Sequence, residues 1–149
     1  MSILRWQDPT LCNQSPYFDQ FLKINCSYVK PECLKDGYLE NSHSELIVMH
    51  HNVCSLPCNF HKIEELFLDS SSYPDILAVT ETKLNFGSTV PSLKGYEFER
   101  TDSPTEFGGV GLYLCDSLNY TIRKDLALNL PFCEDLWIDI KFNQSLPYP

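Results

Sequence analysis

Leu46-Ile47-Val48-Met49 and, further along the chain, Ile76-Leu77-Ala78-Val79 are two short, continuous apolar runs, and what lies between them decides the fold. Each run suits a strand buried on both faces. Between them Phe60, Ile63 and Phe67 recur at spacings of three and four, with His61, Lys62, Glu64 and Glu65 mostly elsewhere, so the spacing predicts an amphipathic helix over about 60–71. Asn59 reads as its N-cap and Ser70-Ser71-Ser72-Tyr73-Pro74 as its stop. Strand, helix and strand make a βαβ unit, in which the strands run parallel through a right-handed crossover. Both strands therefore end on the same edge of the sheet.

Toward the C-terminus the pattern changes to alternation. Residues 96–100, 110–114, 120–122 and 136–142 each alternate apolar and polar side chains, separated by turns at 101–104, 116–117 and 129–131. Consecutive antiparallel strands follow. The expected fold class is α/β, with a mixed sheet that opens on βαβ. Toward the N-terminus, residues 1–43 carry Pro9, Pro16, Pro31 and scattered cysteines, with one short helix-like hint at Phe18, Phe21 and Leu22. They read as a poorly ordered leader before a domain spanning 44–149.

The whole chain has 149 residues, 43% apolar and 21% charged, with Pro 10 and Gly 6, which excludes a disordered or low-complexity protein. No apolar run approaches the roughly 20 residues a membrane helix requires. The net charge is -9, of which residues 44–149, with fifteen acids and seven bases, hold nearly all. At long range such a chain repels nucleic acid and anionic lipid, so any phosphate must be held locally. The seven cysteines are odd in number and have no repeated spacing, which is not a disulfide framework. The N-terminus has no basic stretch followed by an apolar one, so the expected compartment is intracellular with reduced thiols. The four Asn-x-Ser/Thr sequons at Asn13, Asn25, Asn119 and Asn143 are then read as coincidence.

Ligands of open α/β sheets bind beyond the carboxyl ends of the parallel strands. Asn52 stands after the first strand and Glu81 after the second. One carboxylate plus an amide oxygen is a sparse set of hard oxygen ligands, which suits Mg²⁺, an ion that keeps waters and accepts substrate phosphate. It would also supply the positive charge that the chain lacks. The ordinary alternative is that Glu81 is the first solvated residue after a buried strand and Asn52 a turn former.

The segments Ile47-Val48-Met49-His50-His51-Asn52-Val53-Cys54-Ser55-Leu56, Asp75-Ile76-Leu77-Ala78-Val79-Thr80-Glu81-Thr82-Lys83-Leu84 and Gly108-Gly109-Val110-Gly111-Leu112-Tyr113-Leu114 follow one another in an order that resembles the endonuclease domain of non-LTR retrotransposons. That domain belongs to the endonuclease/exonuclease/phosphatase superfamily. The likeness runs from about residue 45 to 142. It implies the first half of an α/β/β/α sandwich that hydrolyses DNA phosphodiester bonds with Mg²⁺. It makes Glu81 the metal ligand and Asn52 a holder of the metal or the scissile phosphate, with Lys83, Lys94 and Arg100 as nearby candidates for phosphate contact. Nuclear residence is implied by the resemblance alone. The family's later Asp-x-Asn and Ser-Asp-His motifs are absent from this sequence, and no histidine follows His61, so the general base is missing. The loop over 101–107 is acidic through Asp102 and Glu106.

The expected function is thus a retroelement-derived Mg²⁺-dependent DNA endonuclease domain, incomplete and inactive as it stands. One alternative is a non-catalytic interaction protein, or a self-associating one, that uses an uncovered sheet face. Another is a phosphatase or abasic-site nuclease of the same superfamily. Weaker signals read as structural. His50 and His51, adjacent in a strand, point to opposite faces and cannot easily share a zinc ion with Cys54, Cys58 and His61. Gly108-Gly109-x-Gly111 lacks the Lys-Ser/Thr of a phosphate loop and reads as a strand-entry turn. Of Trp137, Tyr96, Phe98, Tyr113 and Tyr120, most read as core or sheet-face residues rather than a base-stacking platform.

Overall fold

The computed structural model describes residues 2–7, 25–28, 45–68, 73–131 and 133–141. Among them the chain forms β1 (Ser2–Gln7), β2 (Asn25–Tyr28), β3 (Glu45–Asn52), α1 (Leu56–Leu68), β4 (Ile76–Thr80), β5 (Tyr96–Thr101), β6 (Val110–Cys115), β7 (Asn119–Ile122), a single 3-10 turn (Lys124–Leu126) and β8 (Ile138–Lys141). Six strands make one sheet in the order β2-β1-β3-β4-β6-β5, and β7 pairs with β8 in a second, two-stranded sheet. β3 and β4 are parallel, with Val48 opposite Ile76 and Asn52 opposite Thr80. The other pairings are antiparallel. The fold class is α/β with a mixed sheet, as the patterning predicts.

Register and pleat assign the faces, because side chains alternate along each strand. Ile47 and Met49 of β3, Leu77 and Val79 of β4 and Tyr113 of β6 share one face and are buried against Leu56, Phe60, Ile63 and Phe67 of α1. Burying each such side chain stabilises the fold by about 1.5–3 kcal/mol. Tyr113 is the centre of an aromatic row, with ring centroids 6.1 Å from Phe60 and 4.4 Å from Phe98, and its hydroxyl donates to the Pro91 carbonyl across 2.8 Å. On the opposite face Leu46, Val48, Ala78 and Leu112 are half-buried, while Ile76 and Leu114 are buried. The second sheet meets this side of β5, where the Tyr120 hydroxyl donates to Glu97 Oε2 across 2.7 Å with Glu99 Oε1 3.3 Å away.

Three expectations are corrected. α1 begins at Leu56 rather than near residue 60, so Asn59 lies inside its first turns instead of capping it. The Asn59 amide reaches back to the Val53 and Cys54 carbonyls at 2.9 and 3.3 Å. Pro57 fits the first turn because no N–H is needed there. The segment read as a leader contributes β1 and β2, which extend the sheet beyond β3; the rest of 1–43 lies outside the described residues, as do residues 70–72 of the stop expected over 70–74. The alternating strands also divide between two sheets, since β7 leaves β6 to pair with β8.

Candidate active site at the carboxyl ends of the parallel strands

The parallel pairing of β3 with β4 brings the loops over 53–55 and 81–84 together. They are tied by backbone hydrogen bonds: Val53 N–H to Thr80 O at 3.0 Å, Ser55 N–H to Glu81 O at 2.8 Å and Leu56 N–H to Thr82 O at 2.8 Å. Two donors at the start of α1 are thereby satisfied by the neighbouring loop, which is why the helix begins where it does. Five non-glycine residues have positive φ among the described residues, and four lie here: Cys54 (46°), Ser55 (101°), Glu81 (54°) and Lys83 (53°). Each such conformation costs on the order of 1–3 kcal/mol and persists only where surrounding structure imposes it.

Within this frame Asn52 and Glu81 meet. Asn52 Nδ2 donates to Glu81 Oε1 across 2.6 Å, and Asn52 Oδ1 accepts the Cys54 N–H at 3.1 Å. The second bond fixes which amide atom is which: a backbone N–H can be accepted only by oxygen, so the NH₂ group faces the carboxylate. Asn52 thus orients Glu81 and leaves the other carboxylate oxygen for a further partner. Lys83 extends the cluster, its Nζ lying 3.7 Å from Cys54 Sγ and 5.8 Å from the centre of the Phe107 ring.

Below Glu81, Thr82 is fully buried, and the strand-entry glycines pass over it. Thr82 N–H donates to Gly109 O at 3.2 Å and Lys83 N–H to Gly108 O at 2.9 Å. Sequence reading singled out neither Thr82 nor Phe107 as part of this rim; the Gly108-Gly109 pair beside Phe107 was the available signal, since two positive-φ glycines mark a chain forced close to a neighbour.

The remaining candidates are placed differently. Arg100 is committed to the fold: its guanidinium donates to the Asn85 and Ser88 carbonyls at 3.2 and 3.5 Å and lies 3.1 Å from Asp102. Lys94 is exposed beside the turn that enters β5. His50 Nε2 lies 3.2 Å from the Thr80 hydroxyl, and burial holds both His50 and His51 below the ordinary histidine range. Cys54, Cys58, Cys115 and Cys133 are free thiols, and among the described residues no group of three or more His, Cys, Asp or Glu side chains could enclose a metal. No helix among them is long and apolar enough to cross a membrane.

A cleft of about 540 Å³ lies elsewhere, between the end of β5 and residues 122–137, and neither Asn52 nor Glu81 lines it. Its arginines are already paired, Arg123 with Asp125 at 2.7 Å and Asp139 at 2.5 Å, and Arg100 with Asp102. The Asn52–Glu81 pair lies at the loop rim, outside this cleft. Compared with family models, curated proteins and solved structures, the chain matches none.

Proposed function

We propose that the rim built by Asn52, Glu81 and Lys83 is the metal-holding half of a phosphodiester-hydrolysing site, of the DNA endonuclease type that the sequence motifs resemble. The observation that carries this reading is the 2.6 Å hydrogen bond from Asn52 Nδ2 to Glu81 Oε1 at the carboxyl ends of two adjacent parallel strands. A lone solvated glutamate after a strand needs no such partner, whereas a carboxylate that must hold an ion in one place does.

The donor set fits Mg²⁺ in its sparse mode, with one carboxylate from the protein and the remaining positions left to water and substrate phosphate. Glu81 is the residue that would hold the ion, and Asn52 would fix the carboxylate's rotation. When bound, Mg²⁺ supplies charge stabilisation to the phosphate and its leaving oxygen. Lys83, a half-buried residue at the same rim, offsets phosphate charge from the protein side through its ammonium. His50 is turned to the Thr80 hydroxyl, and no histidine follows His61 to serve as the general base of the resembling family. Turnover should therefore be slow, since general acid-base catalysis is worth about 10²–10⁴ in rate.

Plasmid nicking tests this reading. Slow nicking that requires Mg²⁺ and disappears in Glu81→Ala supports it; nicking that survives Glu81→Ala, or none at all, overturns it. A small phosphate monoester and an abasic-site duplex run alongside separate the phosphatase and repair-nuclease relatives. The half-buried apolar row Leu46, Val48, Ala78 and Leu112 favours a second reading, in which that sheet face docks against another chain. Light scattering on the eluted protein decides it, with a monomer at all concentrations counting against self-association.

A further inference from the structure

Phe107 presents its ring to solvent, 73% exposed, on a loop that is braced. The Thr105 hydroxyl donates to the Phe107 carbonyl across 2.6 Å and accepts the Phe107 N–H at 3.3 Å. The buried Ser103 hydroxyl lies 3.1 Å from that of Thr105 and accepts the Thr105 N–H at 3.2 Å. The Phe107 backbone is thus held by its own loop. The Lys83 ammonium stands over it, 5.8 Å from the centroid, and through Cys54 a run of contacts joins the ring to Asn52 and Glu81.

A cation against one face of an aromatic ring leaves the other face open and places a positive charge beside it. A nucleotide offers a matching pair of features, a flat π-surface and an anionic phosphate next to it. With a net charge of -9, long-range attraction cannot gather nucleic acid, so short-range stacking has to carry affinity. Glu106 on the same loop opposes the dense phosphate array of a duplex, which also hides its base faces. We propose that Phe107 and Lys83 form a stacking platform for an unpaired base, with the adjoining phosphate directed toward Glu81, so that the substrate class is single-stranded or locally unpaired nucleic acid. The proposal rests on the phosphodiester reading of the Asn52–Glu81 rim.

The test titrates the full chain into a single-stranded oligonucleotide that carries 2-aminopurine, whose fluorescence is quenched by stacking. Wild type should quench it, Phe107→Ala should raise Kd about tenfold and abolish the quench, and Phe107→Trp should restore both. Lys83→Ala should raise Kd and keep the quench at saturation. The same sequence as a full duplex should bind more weakly. No quench by wild type, a quench that Phe107→Ala leaves intact, or equal duplex binding overturns the platform, whatever plasmid nicking shows. Quenching without Mg²⁺-dependent nicking supports the platform while overturning the hydrolytic reading of the rim.

Discussion

A β-carbon on Gly109 would overlap Thr82 Oγ1, closer than real β-carbons come to a non-bonded atom. Thr82 is fully buried and Gly109 has φ +84°, so neither the neighbour nor the backbone can give way easily. Gly109→Ala should therefore lower stability by about 2–3 kcal/mol, from the clash together with the strained φ. Thermal denaturation checks this, and an unchanged Tm would show that the loop is free to move away from Thr82.

The division of labour within the Asn52 amide gives a second expected outcome. If its NH₂ group orients Glu81, Asn52→Ala should reduce any Mg²⁺-dependent nicking by about 10–100-fold, the usual cost of losing a group that orients a ligand. Glu81→Ala should remove it entirely. Mg²⁺ titration by calorimetry separates the two, because Asn52→Ala should weaken binding while Glu81→Ala abolishes it.

Asp75 tests how the crossover is fastened at its other end. Its Oδ2 accepts the Ile47 N–H at 2.7 Å, and its own N–H donates to Ile47 O at 2.9 Å. Asp75→Ala orphans the Ile47 donor and should cost about 1–3 kcal/mol. Burial raises the Asp75 carboxyl above its ordinary value of 3.8. The folded protein then holds this proton to higher pH than the unfolded chain, so the group favours folding below 3.8 and that contribution is lost as pH rises through the raised value. Asp75→Asn should accordingly melt higher than wild type at neutral pH, with the gap closing on acidification toward pH 4. A gap that widens in acid would reverse the sign.

Along α1 the two faces should separate cleanly. Ile63 is buried between helix and sheet, and Ile63→Ala should cost about 2–5 kcal/mol. Leu68, on the last turn, is mostly exposed, and Leu68→Ala should change stability by less than about 0.5 kcal/mol. Urea denaturation of the two variants measures both.

The features that depend on local period were legible in the sequence. Phe60, Ile63 and Phe67 announced the buried face of α1, and two apolar runs on either side of that helix announced parallel strands, hence the meeting of Asn52 with Glu81. What escaped depends on partners distant along the chain. Asn59 has the chemistry of an N-cap, yet α1 starts earlier because Glu81 and Thr82 carbonyls accept the Ser55 and Leu56 donors. Ser2–Gln7 carries no strong alternation and becomes a strand through its pairing with β3. Alternation in β7 marked a strand without saying which neighbour it would take, and it took β8. Phe107 looked like an ordinary loop residue because exposure is not written in a single letter.

The placement of β1 alters what a trimmed version of this protein would be. β3 is the strand that delivers Asn52, and β1 lies along its outer flank over the full length from Glu45 to His50. Cutting away the first residues would turn an interior strand into an open margin, with a row of bare amides and carbonyls ready to recruit a stranger's strand. The opening stretch of this chain is in that sense a guard rail for the strand that ends in Asn52, and shortening it invites fibres sooner than it yields a smaller domain.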